Sequence, residues 1–165
     1  MPETPVPPPG RAPAPDDLEL VACTAADLDE VLDLVAAYHR FEAIEMAAGE
    51  RRHTLARLIG DPDLGSIWLI RRGRRTLGYV AVCLGYSIEF GGRDAFLDEL
   101  YLVEAERGRG AGRWAIDRVS ELLAGQDVRA VHLEVAKDNA PALRLYGRAG
   151  FALRSAFHLM SRRLG

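Results

Sequence analysis

Apolar residues along this chain recur with two periods, and the changes between them mark its elements. Leu18, Leu20 and Val21 open an extended stretch that runs to Cys23. From Leu28 the spacing lengthens, and Leu28, Val31, Leu32, Val35 and Tyr38 fall on one face of a helix reaching about Phe41. Thr24 stands before it as an N-cap, with Asp27 as capping-box partner. Gly49 to Ile59 predicts a shorter helix, stopped by Gly60-Asp61-Pro62. Extended stretches then follow at Ser66 to Arg71, Leu77 to about Phe90, and about Asp94 to Val103. The turn Arg72-Gly73-Arg74-Arg75 and the hairpin signal Gly91-Gly92 separate them.

Beyond a glycine-rich run, Trp114, Ile116, Val119, Leu122 and Leu123 return to helical spacing and end near Gly125. Val128 to Val135 is apolar and β-branched, the pattern of a buried strand. Asn139 caps a further helix with Pro141 in its first turn and Gly150 at its end. Phe151 to Leu159 supplies one or two closing strands. Hairpins therefore precede a crossover. The expected class is α/β, a mixed, mostly antiparallel central sheet with helices on both faces.

Composition sharpens the limits of this domain. Residues 1–16 hold seven of the nine prolines and few large apolar side chains, and read as a disordered tail before a single domain over residues 17–165. A formal net charge of −3 argues against nucleic acid as partner. No apolar run approaches the roughly 20 residues of a membrane span, and the start lacks the order of a signal peptide. Cys23 and Cys83 have no CxxC spacing and read as small buried hydrophobes, and the scattered histidines offer no metal-ligand spacing. The chain is expected to be cytoplasmic, without a metal.

The run Arg107-Gly108-Arg109-Gly110-Ala111-Gly112 stands between a strand end and a helix. Glycines allow positive φ and close approach, and the first N–H groups of the following helix attract an anion. Arg107, Arg109 and Arg113 add positive charge, which makes the loop a candidate pyrophosphate cradle. A Walker loop would need Lys-Ser/Thr where Arg113-Trp114 stands. A Rossmann fingerprint would need a third small residue at Arg113 and a place on the first strand.

Arg107-x-x-Gly110-x-Gly112 resembles the coenzyme-A signature of the GNAT superfamily of N-acetyltransferases. Asn139, Ala142, Tyr146 and Gly150-Phe151 resemble its second element, in the same order and with one strand between. More narrowly, Phe96 to Leu102 is similar to the corresponding strand of spermidine/spermine N-acetyltransferase-like enzymes. The resemblance implies acetyl-CoA as co-substrate, the backbone of Leu100, Tyr101 and Leu102 against its pantetheine arm, and Tyr146 as the acid that protonates the leaving thiolate. Asn139 would contact the same arm, although an N-cap role explains it equally well. A homodimer is the common assembly among such enzymes.

Forming an amide from a thioester needs a neutral amine, so a base must take a proton from a group whose ordinary pKa is about 10.4. Asp98 and Glu99 are the candidates, with Glu89 as a third. Strict alternation places Glu99 on a face with Leu97 and Tyr101, and Asp98 on a face with Leu100 and Leu102. The narrower resemblance favours Asp98, and a water relay from either remains open. Cys83 has no histidine placed to activate it as an acyl carrier. Glu42, Glu45, Glu50, Asp94, Asp98 and Glu99 would attract a small cationic amine if they face one cleft. Protein N-acetylation and a non-catalytic coenzyme-A-binding module stand as alternatives.

Overall fold

Four antiparallel strands and one parallel strand form the sheet that organises this chain. The computed structural model describes residues 17–164. The strands β1 (Leu18–Ala22), β2 (Gly65–Arg72), β3 (Arg75–Ser87), β4 (Gly92–Leu102) and β5 (Val128–His132) lie side by side in chain order. Neighbours from β1 to β4 run antiparallel, and β4 and β5 run parallel. A parallel neighbour needs a crossover, and helix α3 (Ala111–Ala124) supplies it.

Helices cover both faces, as the pattern predicts. On one face α1 (Leu28–Phe41) and α2 (Ala48–Gly60) bury Val31, Val35 and Leu55 against Ile67, Leu69, Tyr79 and Ala81. On the other, Trp114, Ala115, Ile116, Val119 and Leu123 of α3 pack on Trp68, Ile70, Val80, Val82, Ala95 and Leu97. Helix α4 (Ala140–Arg148) joins that side through Leu145 and Tyr146. Successive residues of β2 therefore serve opposite layers, which is why Ile67 to Ile70 is apolar without interruption. Thr24 and Asp27 do form the reciprocal capping box, around a single 3-10 turn that leads into α1. No helix among the described residues is long and apolar enough to cross a membrane.

Two departures from the sequence expectation concern pairing. The strand expected over Val128 to Val135 ends at His132, because its ladder with β4 runs only from Arg93↔Val128 to Phe96↔His132. The closing strands expected within Phe151 to Leu159 do not form. Strand-prone residues make a strand only where a ladder partner meets them. Here Arg154 is instead drawn to Glu89 at 2.7 Å and lies over the rings of Phe90 and Phe157. A turn closed by the Phe157 N–H on the Arg154 carbonyl (3.0 Å) follows, and Leu153 and Met160 stay exposed.

Two contacts fix the end of β4, where the glycine loop begins. Gly78 of β3 lies opposite Leu102, and a Cβ placed on it would stand 1.9 Å from the Tyr101 carbonyl oxygen. Four residues on, Glu106 is buried and held by Arg72 (2.8 Å) and Arg75 (3.1 Å) from the β2–β3 turn. The hydrogen bond from Arg72, more than its charge, holds the Glu106 carboxyl below the usual carboxylate range.

Gly78→Ala should destabilise the protein by about 1–3 kcal/mol through overpacking against backbone, read as a lower melting temperature. Because the Glu106 pKa is depressed in the folded state, its contribution is present at neutral pH. It should disappear as pH falls from the ordinary value of 4.5 through the lowered one. Melting curves of Glu106→Gln should therefore differ from wild type at pH 7 and converge with it in acid.

Candidate active site

The strands β4 and β5 part after Phe96 and His132, and the chain leaves the sheet at Leu133. From Leu97 to Leu102 the β5-facing edge of β4 has no strand partner among the described residues, an open backbone edge of the kind an extended amide-bearing ligand can pair with. Leu100, Tyr101 and Leu102, predicted to hold the pantetheine arm, all lie on it.

A 3-10 turn, Glu104–Glu106, then leads into the glycine loop. Gly108 and Gly110 take φ of 72° and 88°, a left-handed region that favours glycine. Gly110 begins α3 with no side-chain cap, and the first helical bond runs from Trp114 N–H to the Gly110 carbonyl. The N–H groups of Ala111, Gly112 and Arg113 thus have no intrahelical partner. Gly112 brings this turn to the corner of the site, where a Cβ would lie 3.5 Å from Leu145 and 3.6 Å from Leu102.

The three arginines of the loop divide their tasks. Arg113 is paired with Asp117 and donates to the Arg148 carbonyl, tying α3 to α4. Arg107 donates from Nε to the Leu102 carbonyl at 2.9 Å, with its guanidinium over Phe41 (4.6 Å) and Tyr101 (5.5 Å). Only Arg109 of the three has no hydrogen bond or ion pair among the described residues, although its charge adds to the depression of the Glu106 pKa.

The alternation expected around Asp98 is corrected by a β-bulge. Leu97 lies opposite Val82 and Glu99 opposite Ala81, so Asp98 is an extra residue with no partner on β3. The bulge turns Leu97 to the α3 face together with Leu100 and Leu102, while Glu99 faces α1 beside Tyr79. Asp98 is open to solvent on one side, yet protein crowds it elsewhere. Its pKa is raised, first by lost hydration and then by the negative charges of Glu99 and Glu134, with His39 opposing. It makes no hydrogen bond or ion pair among the described residues.

Glu99 is the reverse case. His39 Nε2 lies 2.9 Å from its Oε1, and the Tyr79 hydroxyl donates to its Oε2 at 2.7 Å. Tyr38, Tyr79 and Tyr101 pack ring to ring around this pair, with centroids 6.1–6.4 Å apart. Burial raises the Tyr38 pKa, and Glu42, Glu99, Tyr146 and Asp98 add to the rise, which places all four around one phenol.

Tyr146 stands on α4, half-buried, with its ring 5.8 Å from Phe151. Its pKa is raised by burial and then by Glu42, and its hydroxyl has no hydrogen-bond partner among the described residues. Asn139 does cap α4, accepting from the Ala142 N–H at 3.1 Å. Glu99 and Glu134 act on Asp98, and Glu42 acts on Tyr38 and Tyr146, so these four carboxylates gather around one set of tyrosines. Asp94 lies lower on β4 opposite Ala130, 3.6 Å from His132, and Glu89 is taken by Arg154 at the hairpin. Glu45 and Glu50 are exposed and bonded to nothing described.

Sequence reasoning missed His39, Arg51, Tyr79 and Glu134. His39 had a signal, since it continues the four-residue stripe Val31, Val35 into a buried position. Tyr79 had one as well, a hydroxyl within the apolar run of β3. Cys23 and Cys83 are unbridged and half-buried. Burial pushes the Cys23 thiol up to about 12 and raises that of Cys83 as well.

The comparisons agree with this geometry. Residues 28–151 match the acetyltransferase (GNAT) family. The uncharacterized N-acetyltransferase YobR of Bacillus subtilis (strain 168) is 34% identical over 87 residues, which are 53% of this chain and 32% of that protein, so this chain spans about a third of the relative's length. An integron cassette protein from the mobile metagenome of Cole Harbour Salt Marsh superposes with a TM-score of 0.78 at 28% identity, covering 88% of this chain and 90% of that one. An aminoglycoside acetyltransferase from an uncultured soil metagenomic sample, in complex with sisomicin, shares the fold alone, with a TM-score of 0.76 at 13% identity over 90% and 98% of the two chains. With a split sheet, a glycine loop at a helix start and a family match over most of its length, this chain belongs to the GNAT family of acetyltransferases.

Proposed function

We propose that this chain moves an acetyl group from acetyl-CoA to the primary amine of a small cationic molecule, by direct attack within a ternary complex. The residues present fit the donor. The unpaired edge from Leu97 to Leu102 would hold the pantetheine arm, and the free N–H groups of Ala111, Gly112 and Arg113 with Arg109 would hold the pyrophosphate. When bound, the thioester supplies an activated acyl carbon.

The observation that carries the reading is a pair of unengaged groups of opposite chemistry at one cleft. Asp98 is a carboxylate with no hydrogen bond or ion pair among the described residues and a raised pKa, suited to take a proton from an ammonium. Tyr146 is a phenol with no hydrogen-bond partner among the described residues and a raised pKa, so it is protonated at neutral pH and able to give its proton to a departing thiolate. Cys83 is kept as a neutral thiol by burial, which supports direct attack over an acyl-cysteine. Glu42, Asp98, Glu99 and Glu134 with Tyr38 and Tyr101 make an acidic, aromatic cleft, which supports a cation as acceptor. The reading carries with it a cytoplasmic location and a homodimer, with neither nucleic acid nor membrane as partner.

A thiol-release assay with acetyl-CoA over a panel of polyamines, diamines, basic amino acids, neutral amines and peptide N-termini tests the acceptor class. Turnover confined to neutral amines or peptides would overturn it. Tyr146→Phe should lower kcat by about 10²–10³-fold with little change in acetyl-CoA affinity. An unchanged rate would leave only a binding module.

Asp98 must be ionised to act, so kcat/KM should fall with decreasing pH through its raised pKa. The acid limb should therefore lie above the ordinary carboxylate value of 3.8, and Asp98→Asn should abolish it along with the activity.

A further inference from the structure

Arg107 opens the glycine loop, yet its side chain turns to the face of the sheet that the loop's helix does not cover. The start of α3 packs on the face of Leu100 and Leu102, where Gly112 comes up against Leu102 and Leu145. Tyr101 points the other way, into the layer of Tyr38 and Tyr79 under α1. The Arg107 guanidinium lies 5.5 Å from the centre of the Tyr101 ring and 4.6 Å from that of Phe41, the last residue of α1. The negative faces of both rings attract it.

A third contact fixes the direction of this side chain. The Val103 N–H donates to the Leu77 carbonyl at 2.8 Å, so the N–H and C=O of Leu102 point away from β3, toward the open edge of β4. Arg107 Nε donates to that carbonyl at 2.9 Å. One side chain thus joins the edge of β4 to the end of α1. The start of α3 offers its N–H groups to an anion without this arginine.

The end of α1 is a defined turn. The Glu42 N–H donates to the Tyr38 carbonyl (2.9 Å) and the Ile44 N–H to the His39 carbonyl (2.8 Å), with Ala43 between them at a φ of 55°. Phe41 is 63% exposed, and the Arg107 guanidinium is its one ring contact among the described residues. Few packing contacts orient so exposed a ring, which leaves the guanidinium to do it. Glu42 follows directly and makes no hydrogen bond or ion pair among the described residues. Burial first, then the charge of Glu42, raises the pKa of Tyr38 on α1 and of Tyr146 on α4, so this carboxylate lies near both.

We propose that Arg107 is a positioning residue rather than a phosphate ligand: it clasps the end of α1 to the edge of β4 through Phe41, and the clasp places Glu42 to select an acceptor that carries a second positive charge. This rests on the acetyltransfer reading above. The reacting nitrogen must lose its proton before it attacks, so it keeps no charge for Glu42 to hold. A carboxylate at the rim gains only from a cation elsewhere on the acceptor. Glu42 therefore favours a diamine or polyamine over a monoamine of the same length.

The test measures acetyl-CoA affinity by calorimetric titration, and kcat and KM for a diamine and a monoamine of equal length. The variants are R107A, F41L, F41Y, E42Q and the R107A/F41L double variant of the full chain, each with a melting curve. Arg107→Ala and Phe41→Leu should each raise the diamine KM about three- to tenfold, with acetyl-CoA affinity within about twofold of wild type. The double variant should raise it no further, because either change opens the same clasp. Phe41→Tyr keeps the ring face and should keep the wild-type KM. Glu42→Gln should raise the diamine KM by a similar factor and leave that of the monoamine in place. The proposal fails if Arg107→Ala weakens acetyl-CoA binding about tenfold or more while Phe41→Leu does not, for the arginine then holds phosphate. It fails too if the variants lower only the melting temperature, if Glu42→Gln raises both KM values alike, or if wild type does not prefer the diamine. A wild type that binds acetyl-CoA and acetylates no amine would overturn the acetyltransfer reading beneath it, and the acceptor role of Glu42 with it.

Discussion

Arg93 to Phe96 against Val128 to His132 is all the parallel pairing that holds β5 to the sheet, and the site exists because it stops there. Buried backbone amides demand partners, so a strand that loses its neighbour must end, meet solvent or accept a ligand. On its β5 side β4 continues to Leu102 alone. Its open edge, the first turn of α3 and the inner face of α4 meet at Leu102, Gly112 and Leu145. The crossover that makes β5 parallel also delivers the uncapped start of α3. One topological requirement thus positions both halves of the proposed coenzyme site.

Legibility in the sequence followed the range of the interaction. Helical stripes such as Val31–Val35 and strand runs such as Ile67–Ile70 could be read because burial on a fixed period is local. The glycine loop could be read because positive φ at Gly108 and Gly110 is a local demand. Pairing could not. The early end at His132 and the lone path of Phe151 to Leu159 depend on where a distant strand lies. The bulge at Asp98 escaped for the same reason, since only register against Val82 and Ala81 reveals it. The network at Glu99 joins residues 39, 51, 79 and 99, and no window along the chain contains them together.

The cleft concentrates carboxylates with few cations to answer them. Arg107 is turned to the Leu102 carbonyl and the Phe41 and Tyr101 rings, and Arg113 is paired with Asp117. Arg51 reaches Glu99 only through an imidazole. Mutual repulsion among Glu42, Asp98, Glu99 and Glu134 is therefore a standing cost of the fold, of the sort that active sites carry and cores do not. Tyr79 supplies a donor to Glu99 without neutralising its charge, and so holds that acid in place while leaving the region negative.

The bulge gives Asp98 two separable identities. As a side chain it is a carboxylate, and another residue in its place would change only the chemistry. As a unit of backbone it is a count, the odd residue that sets the phase of everything after it. Deleting it would restore strict alternation and rotate β4 by one step, exchanging the layers of Leu100 and Leu102 with that of Tyr101. The strand edge proposed to meet the coenzyme would then present its reverse. For the fold, position 98 is thus far more tolerant of replacement than of loss, and the spacing between Leu97 and Glu99 carries as much information as either residue.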